Sequence, residues 1–393
     1  MKLCIVAGAR PNFIKIAPII SAINKFNNSI DSINPSNPIN YLLVHTGQHY
    51  DSKMSEIFFD DLGIPKPEIN LEVGSASHAV QTAEIMRRFE EVCLEESPSH
   101  VLVVGDVNST IACALVASKL GIKVVHVEAG LRSFDRSMPE EINRVLTDAI
   151  SDLLFTTEED ANENLEKEGI PKEKVHFVGN VMIDTLLLHK KKAEESDVLM
   201  KLGFTVMGSK SSKNEVGAYS VLTLHRPSNV DDEESFRNII QGLSEIARRI
   251  PIIFPIHPRT LNQIKEFGLD SYFKWLSGDG AKFKKEDGII HCVDPLGYLD
   301  FLKLMSNAKL VLTDSGGVQE ETTILGVPCV TIRENTERPV TVTFGTNVVA
   351  GVKKENIIEA AFTQLNKRIH YSVPPLWDGK AAERIVEILA RNS

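Results

Sequence analysis

Thr313 to Glu321 reads TDSGGVQEE and follows the apolar run Leu310-Val311-Leu312, so a glycine pair stands where a strand hands over to a helix. The first N–H groups of a helix lack intrahelical partners and carry the positive end of its dipole. Ser315, Gly316 and Gly317 therefore form a place to hold a phosphate. A plain capped helix start is the alternative, but neither Asp314 nor Ser315 has Glu or Gln three residues later. Two glycines there also cost about 0.5 to 1 kcal/mol each relative to Ala. Ligands of doubly wound sheets bind beyond the carboxyl ends of the strands, so the polar residues after each strand-like run are the candidates. The cations are Arg10 and Lys15 in GARPNFIK, His225 and Arg226 after Val221 to Leu224, and Arg338 in TERP. The acids are Asp106 in VVGDVNST, Glu128 in VVHVEAG and Glu140 in MPEEINR.

Each residue has a structural reading beside the chemical one. Asp106 is placed to cap a helix starting near Asn108, and Glu140 with Glu141 follows Pro139, where a helix dipole favours carboxylates. Glu128 follows three valines and a histidine, Val124 to Val127, and precedes Ala129-Gly130, which predicts a buried carboxylate that needs a reason. Lys15 on a helix would by default be exposed, whereas the turn Gly8-Ala9-Arg10-Pro11 aims Arg10 at the strand ends. His45 and His49 are four apart, but Gly47 between them argues for a loop and no third ligand is evident, so no metal site is expected. No GxGxxG follows any strand, and no dinucleotide or other cofactor is expected.

The elements that must position these groups follow from the hydrophobic rhythm. Short β-branched runs alternate with amphipathic stretches at Leu3 to Val6, Leu42 to His45, Val101 to Val104, Val124 to Val127, Leu153 to Thr156 and Val175 to Val178. After Gly179-Asn180 comes a charged helix, expected over Leu186 to Leu202, and a polar loop, Gly208 to Gly217. A second series then runs through Val221 to Leu224, Ile252 to Ile256, Ile289 to Val293, Leu310 to Thr313 and Cys329 to Ile332. A length of 393 residues exceeds what one core supports, and the two series predict an α/β protein of two doubly wound domains, 1–180 and 181–371. Lys380 to Arg391 has a helical period. A net charge of −10 disfavours nucleic acid and membrane surfaces, so an anionic ligand must be gripped by local cations. The five cysteines are scattered without CxxC spacing, which fits reduced core residues of a cytoplasmic protein. Neither an export signal nor a membrane span is expected.

At these residues the chain resembles the non-hydrolysing UDP-N-acetylglucosamine 2-epimerase family. The likeness is carried in order by GARPNFIKIAP, TGQHYD, GDVNST, VEAGLRS, PEEINR, HRPSN, PIHPRT, TDSGGVQEE and TERP. It implies a GT-B fold, two Rossmann-like domains with parallel sheets and a deep cleft, and a C-terminal helix, about 372–393, packed back on the first domain. It implies that Asp106, Glu128 and Glu140 serve proton transfer. Arg10, Lys15, His225, Ser315, Gly316, Gly317, Glu321 and Arg338 would hold a UDP-sugar, with Arg226 beside the phosphates. A homodimer feeding polysaccharide biosynthesis is the corresponding expectation.

Elementary chemistry agrees. The C2 proton of the sugar has no adjacent carbonyl to acidify it, and without a nicotinamide none can be made transiently. Departure of the diphosphate from C1 acidifies that proton, so a carboxylate can remove it to give a glycal. Readdition with a proton from the other face inverts C2, which asks for a stabilised diphosphate and more than one carboxyl group. Glu321 is spaced to accept hydrogen bonds from ribose hydroxyls. Asn12 and Phe13 depart from a Glu-Ala pair common in bacterial members. Leu296 stands where some carry Gln near uracil, leaving backbone or Phe301 to serve the base. Gln48 and His49 fit the pattern of a second, activating UDP-sugar site. Asp51 and the absence of arginine in Val73 to His78 do not. The rival readings are a hydrolysing epimerase, an epimerase of a UDP-diacetamido-uronic acid, a GT-B glycosyltransferase and a non-enzymatic binding module.

Overall fold

The computed structural model describes residues 1–29, 38–48, 59, 61–204, 219–276, 287–366 and 371–392. The chain divides into two compact units, one of Met1–Leu188 with Pro374–Ser393 and one of His189–Val373. The polar loop expected over Gly208 to Gly217 lies outside the described residues.

The sheet of the first unit contains β1 (Lys2–Ala7), β2 (Asn40–His45), β3 (Ile69–Asn70), β4 (His100–Val104), β5 (Lys123–Ala129), β6 (Leu153–Thr156) and β7 (Val175–Phe177). Their order is β3-β2-β1-β4-β5-β6-β7, every pairing parallel. The second unit has β8 (Ser220–Thr223), β9 (Ile252–Pro255), β10 (Phe273–Trp275), β11 (Ile290–Val293), β12 (Leu310–Thr313), β13 (Cys329–Thr331) and β14 (Asn347–Val349). Their order is β10-β11-β9-β8-β12-β13-β14, again all parallel. Helices cover both faces of such sheets, which is why β4 (HVLVV) and β12 (LVLT) are buried at every residue. Each unit has its own apolar core, built around Val101, Val103 and Phe89 in the first and Leu222, Phe236 and Leu312 in the second. In each sheet the strand order reverses beside the first strand, between β1 and β4 and between β8 and β12. Ligands of open α/β sheets bind at the carboxyl side of such switch points.

Two features differ from the sequence pattern. β3, β10 and β14 have two or three residues each, too few for a period-2 or apolar-run signal. The single helix expected over Leu186 to Leu202 is two, Val181–Glu194 and Val198–Lys201. Ser196 breaks it: its Oγ donates to Asp300 Oδ1 at 2.5 Å and accepts the Val198 N–H at 3.2 Å, a local bond that competes with the helical ladder.

The helix Ala381–Arg391 packs within the first unit against the helix Arg10–Asn28, with Lys25 Nζ 2.6 Å from Glu383 Oε1. Asp184 accepts its first N–H groups, from Ala381 at 3.2 Å and Ala382 at 2.7 Å. Just before it, the buried Trp377 donates Nε1–H to the Thr157 carbonyl at 2.9 Å.

Candidate active site

The carboxyl edge of the first sheet is built around the ends of β1, β4 and β5. Asn12, in the first turn of the helix Arg10–Asn28, accepts the N–H groups of Gly8 at 3.0 Å and Ala9 at 2.9 Å and donates to the Val104 carbonyl at 3.2 Å. The residue that departs from the bacterial Glu thus fastens the turn after β1 to the end of β4. Lys15, one turn further along, reaches Glu128, and both side chains are buried. The backbone at Glu128 is left-handed, with φ of 70°. The β5–β6 register skips it, passing from Val127 to Ala129, so Glu128 sits on a bulge. A non-glycine residue in that region costs on the order of 1 to 3 kcal/mol and persists only where its surroundings hold it, a pattern that clusters at functional sites. Gly105, with φ of 66°, makes room for this pair: a Cβ there would stand 2.9 Å from Lys15 Nζ and 3.4 Å from Glu128 Oε2.

Asp106 follows Gly105 but does not cap the next helix, which runs Asn108–Lys119 behind Val107 with no side-chain cap bond. Its Oδ2 instead lies 2.5 Å from the guanidinium of Arg144, which is 2% exposed, while the Asp106 carbonyl accepts Asn143 Nδ2–H at 2.8 Å. Arg144 also holds Glu141 Oε2 at 2.7 Å. Glu141 in turn accepts the backbone N–H of Ser133 at 3.0 Å and of Phe134 at 2.9 Å. Glu140, partly buried, opens the same helix, Pro139–Ile150, four residues before Arg144, so the two lie on one helical face. The next position on that face, Asp148, is fully buried and touches His126, Arg132 and the Gly130 N–H. Burial pushes the Asp148 carboxyl up, but the His126 and Arg132 charges and the Gly130 N–H outweigh it and hold it below the usual range.

At the carboxyl edge of the second sheet the central acid is Asp314, fully buried at the end of β12. Its Oδ2 accepts the backbone N–H groups of His225 at 2.8 Å and Arg226 at 2.7 Å, and its Oδ1 lies 3.0 Å from His225 Nδ1. Burial would raise this carboxyl, yet the His225 charge and those hydrogen bonds keep it lowered. The helix Gly316–Leu325 starts beside it with Ser315 as N-cap, without a side-chain cap bond and without an acid in its first turn. Its leading N–H groups therefore receive no side-chain cap from Ser315. A Cβ on Gly316 would meet Glu337 Oε1 at 2.7 Å, and Glu337 is pinned by Arg333 at 2.8 Å and Arg226 at 3.5 Å. Further along the helix, Glu321 is buried, accepts the Tyr298 hydroxyl at 3.0 Å, and is pushed up to about 7 by burial. The side chain of Arg338 is 2.5 Å from Glu320 and buried.

The family model described as UDP-N-acetylglucosamine 2-epimerase matches residues 31–390. The chain belongs to that family. The UDP-N-acetylglucosamine 2-epimerase of Methanocaldococcus jannaschii is 46% identical over 391 residues, 99% of each chain. The UDP-2,3-diacetamido-2,3-dideoxy-D-glucuronate 2-epimerase of Pseudomonas aeruginosa is 40% identical over 394 residues, 100% of each chain. The crystal structure of the Methanocaldococcus jannaschii enzyme in complex with UDP-GlcNAc and UDP matches at a TM-score of 0.86 and 44% identity, covering 100% of both chains. The two parallel α/β sheets are those of the GT-B fold.

Within the first unit, Lys15, Asp106 and Glu128 come together around Gly105, with Glu140 on the helix that supplies Arg144. Arg10 begins the helix after β1, but its side chain lies outside the described residues, as do His49 and Asp51. Within the second unit, His225, Arg226, Ser315 and Gly316 stand around Asp314 and Glu337. Gly317, Glu321 and partly buried Phe301 lie on the helices Gly316–Leu325 and Tyr298–Ser306. Gln48 is buried, and its Oε1 accepts from Ser109 N–H at 3.1 Å and Oγ at 2.6 Å. The sequence reading missed His126, Arg144, Asp148 and Tyr298. Two signals were present: the polar His126 inside an apolar strand, and the four-residue spacing of Glu140, Arg144 and Asp148.

Proposed function

We propose that the protein interconverts UDP-N-acetylglucosamine and UDP-N-acetylmannosamine at C2 without hydrolysis. A carboxylate takes the C2 proton as the C1–O bond to the diphosphate breaks, giving the C1=C2 double bond of a glycal and free UDP. The UDP β-phosphate oxygen then re-forms the bond to C1 while a carboxyl group on the opposite face returns a proton to C2. Asp106, Glu128 and Glu140 supply the carboxyl groups. Arg10, His225, Arg226, Arg338 and the Ser315-Gly316-Gly317 helix start hold the diphosphate, Glu321 the ribose, Phe301 the base, and Lys15 compensates charge at Glu128. The observation that carries the reading is the left-handed, buried Glu128 held by Lys15 beside the Gly105-Asp106 turn. Binding alone gives no reason to bury and strain a carboxylate there. The UDP-GlcNAc in the related crystal structure supports the substrate.

The test is NMR of the purified protein with UDP-GlcNAc in heavy water. The expected product keeps its UDP and carries deuterium at C2. Free N-acetylmannosamine would select a hydrolysing enzyme instead. The 40% identity to the Pseudomonas aeruginosa enzyme favours a UDP-diacetamido-uronic acid as second reading, decided by comparing turnover of the two sugars. A cytoplasmic homodimer completes the proposal. The five buried, unbridged cysteines agree with the compartment, and light scattering in solution checks the assembly.

A further inference from the structure

His126 and Asp148 are fully buried in the first unit and take no part in the chemistry above. His126 Nδ1 lies 2.6 Å from Asp148 Oδ1, and its Nε2 lies 2.9 Å from the carbonyl oxygen of Gly105. A carbonyl oxygen can only accept, so Nε2 carries a proton, and an ionised carboxylate can only accept, so Nδ1 carries one too. Asp148 is kept ionised through its other oxygen, which receives the Gly130 N–H at 3.0 Å and the Arg132 guanidinium at 2.8 Å. Arg132 is shared with Glu168, 2.6 Å away at the end of the helix Glu159–Lys167. One carboxylate therefore grips the chain on both sides of the left-handed Glu128, at residue 126 through a ring and at residue 130 through the backbone. The same ring holds Gly105, whose own N–H bonds the Val127 carbonyl at 3.0 Å and whose successor is Asp106. A buried ion pair is a poor route to stability, since apolar residues of similar volume serve as well or better.

We propose that the His126–Asp148 pair is a positioning device, with His126 doubly protonated, that fixes the carboxylates of Asp106 and Glu128 relative to each other for proton transfer at C2. The proposal rests on the reading that these two acids carry the reaction.

The experiment combines wild-type neutron diffraction in heavy water with the kinetics of two variants. Deuterium is expected on both ring nitrogens of His126, and a bare nitrogen overturns the proposal whether or not the variants fold. His126→Asn keeps a donor near the Nδ1 position and His126→Gln one near Nε2. Each is expected to lower kcat by about tenfold or more while KM and UDP affinity stay within about twofold. Combining either with Glu128→Gln should slow C2 deuterium exchange no further than Glu128→Gln alone, because the pair acts through that acid. Folded His126 variants with wild-type kcat beside slow Glu128→Gln and Asp106→Asn would overturn this inference and leave the functional reading standing. Full turnover in Glu128→Gln and Asp106→Asn would instead overturn the functional reading.

Discussion

At the switch point of the first sheet, Asp106 and Glu128 meet Arg144 and Lys15 side chain to side chain. At that of the second, Asp314 accepts the backbone N–H groups of His225 and Arg226. The helix starts differ in the same way. The helix Ala381–Arg391 in the first unit has its leading N–H groups occupied by Asp184, whereas the helix Gly316–Leu325 in the second begins without a side-chain cap. On the proposed reading one topology serves two tasks. Where protons would move, carboxylates at the strand ends pair with cationic side chains. Where an anion would be held, the central carboxylate is taken up by backbone N–H groups and the next helix starts without a side-chain cap.

The sharpest test of that contrast is to neutralise acids in the first unit. Asp106→Asn and Glu128→Gln are expected to lower turnover by about 10²-fold or more with UDP affinity nearly kept, as steady-state rates and calorimetric titration would report. Equal losses in turnover and UDP affinity would erase the division of labour. Arg10→Ala should cross it, weakening UDP binding by about 10- to 150-fold through loss of a charge-assisted contact worth roughly 1.5 to 3 kcal/mol. Gly316→Ala acts on the second unit alone. Its Cβ would displace Glu337, held by two arginines, and UDP affinity should fall by about tenfold with C2 exchange at saturating substrate preserved.

The smallest effect concerns the occupied helix start. Burial raises the Asp184 carboxyl from 3.8 to about 6, against the pull of the Ala382 and Ala381 N–H groups. The folded state therefore holds this proton more tightly than the unfolded chain, and the resulting stability is full below about 4 and lost as pH rises through about 6. Between pH 4.5 and 7.5 the thermal midpoint of the wild type should drop by a few °C relative to Asp184→Asn. A constant difference across that range would mean the carboxylate is as well solvated as in the unfolded chain.

The long buried strands were legible because parallel sheets covered on both faces need unbroken apolar runs, as in Val101 to Val104 and Leu310 to Thr313. The burial of Glu128 was legible for the same reason, as a charge inside such a run. The partners of the acids were not. Lys15 and Glu128 lie 113 residues apart and Asp106 and Arg144 lie 38 apart, and only the strand order brings them together. The left-handed turn at Glu128 was hidden as well, since no glycine marks that position and the Asp148 contacts on either side of it come from a separate helix. The short strands and the break at Ser196 escaped because both are settled by neighbours distant in sequence, such as Asp300.

Because the first unit needs residues Pro374–Ser393 to finish its packing around Trp377 and Asp184, it is interrupted in the chain by the whole of the second. On the ribosome the order of completion is therefore inverted. The strands of the first unit are made before any of the second, yet the stretch His189–Val373 is fully synthesised while the first unit still lacks the segment that supplies Trp377 and Arg384 to the Thr157 and Val178 carbonyls. A chain ending at Val373 and released from the ribosome would hold every residue of the second unit and a first unit still open to proteases and chaperones.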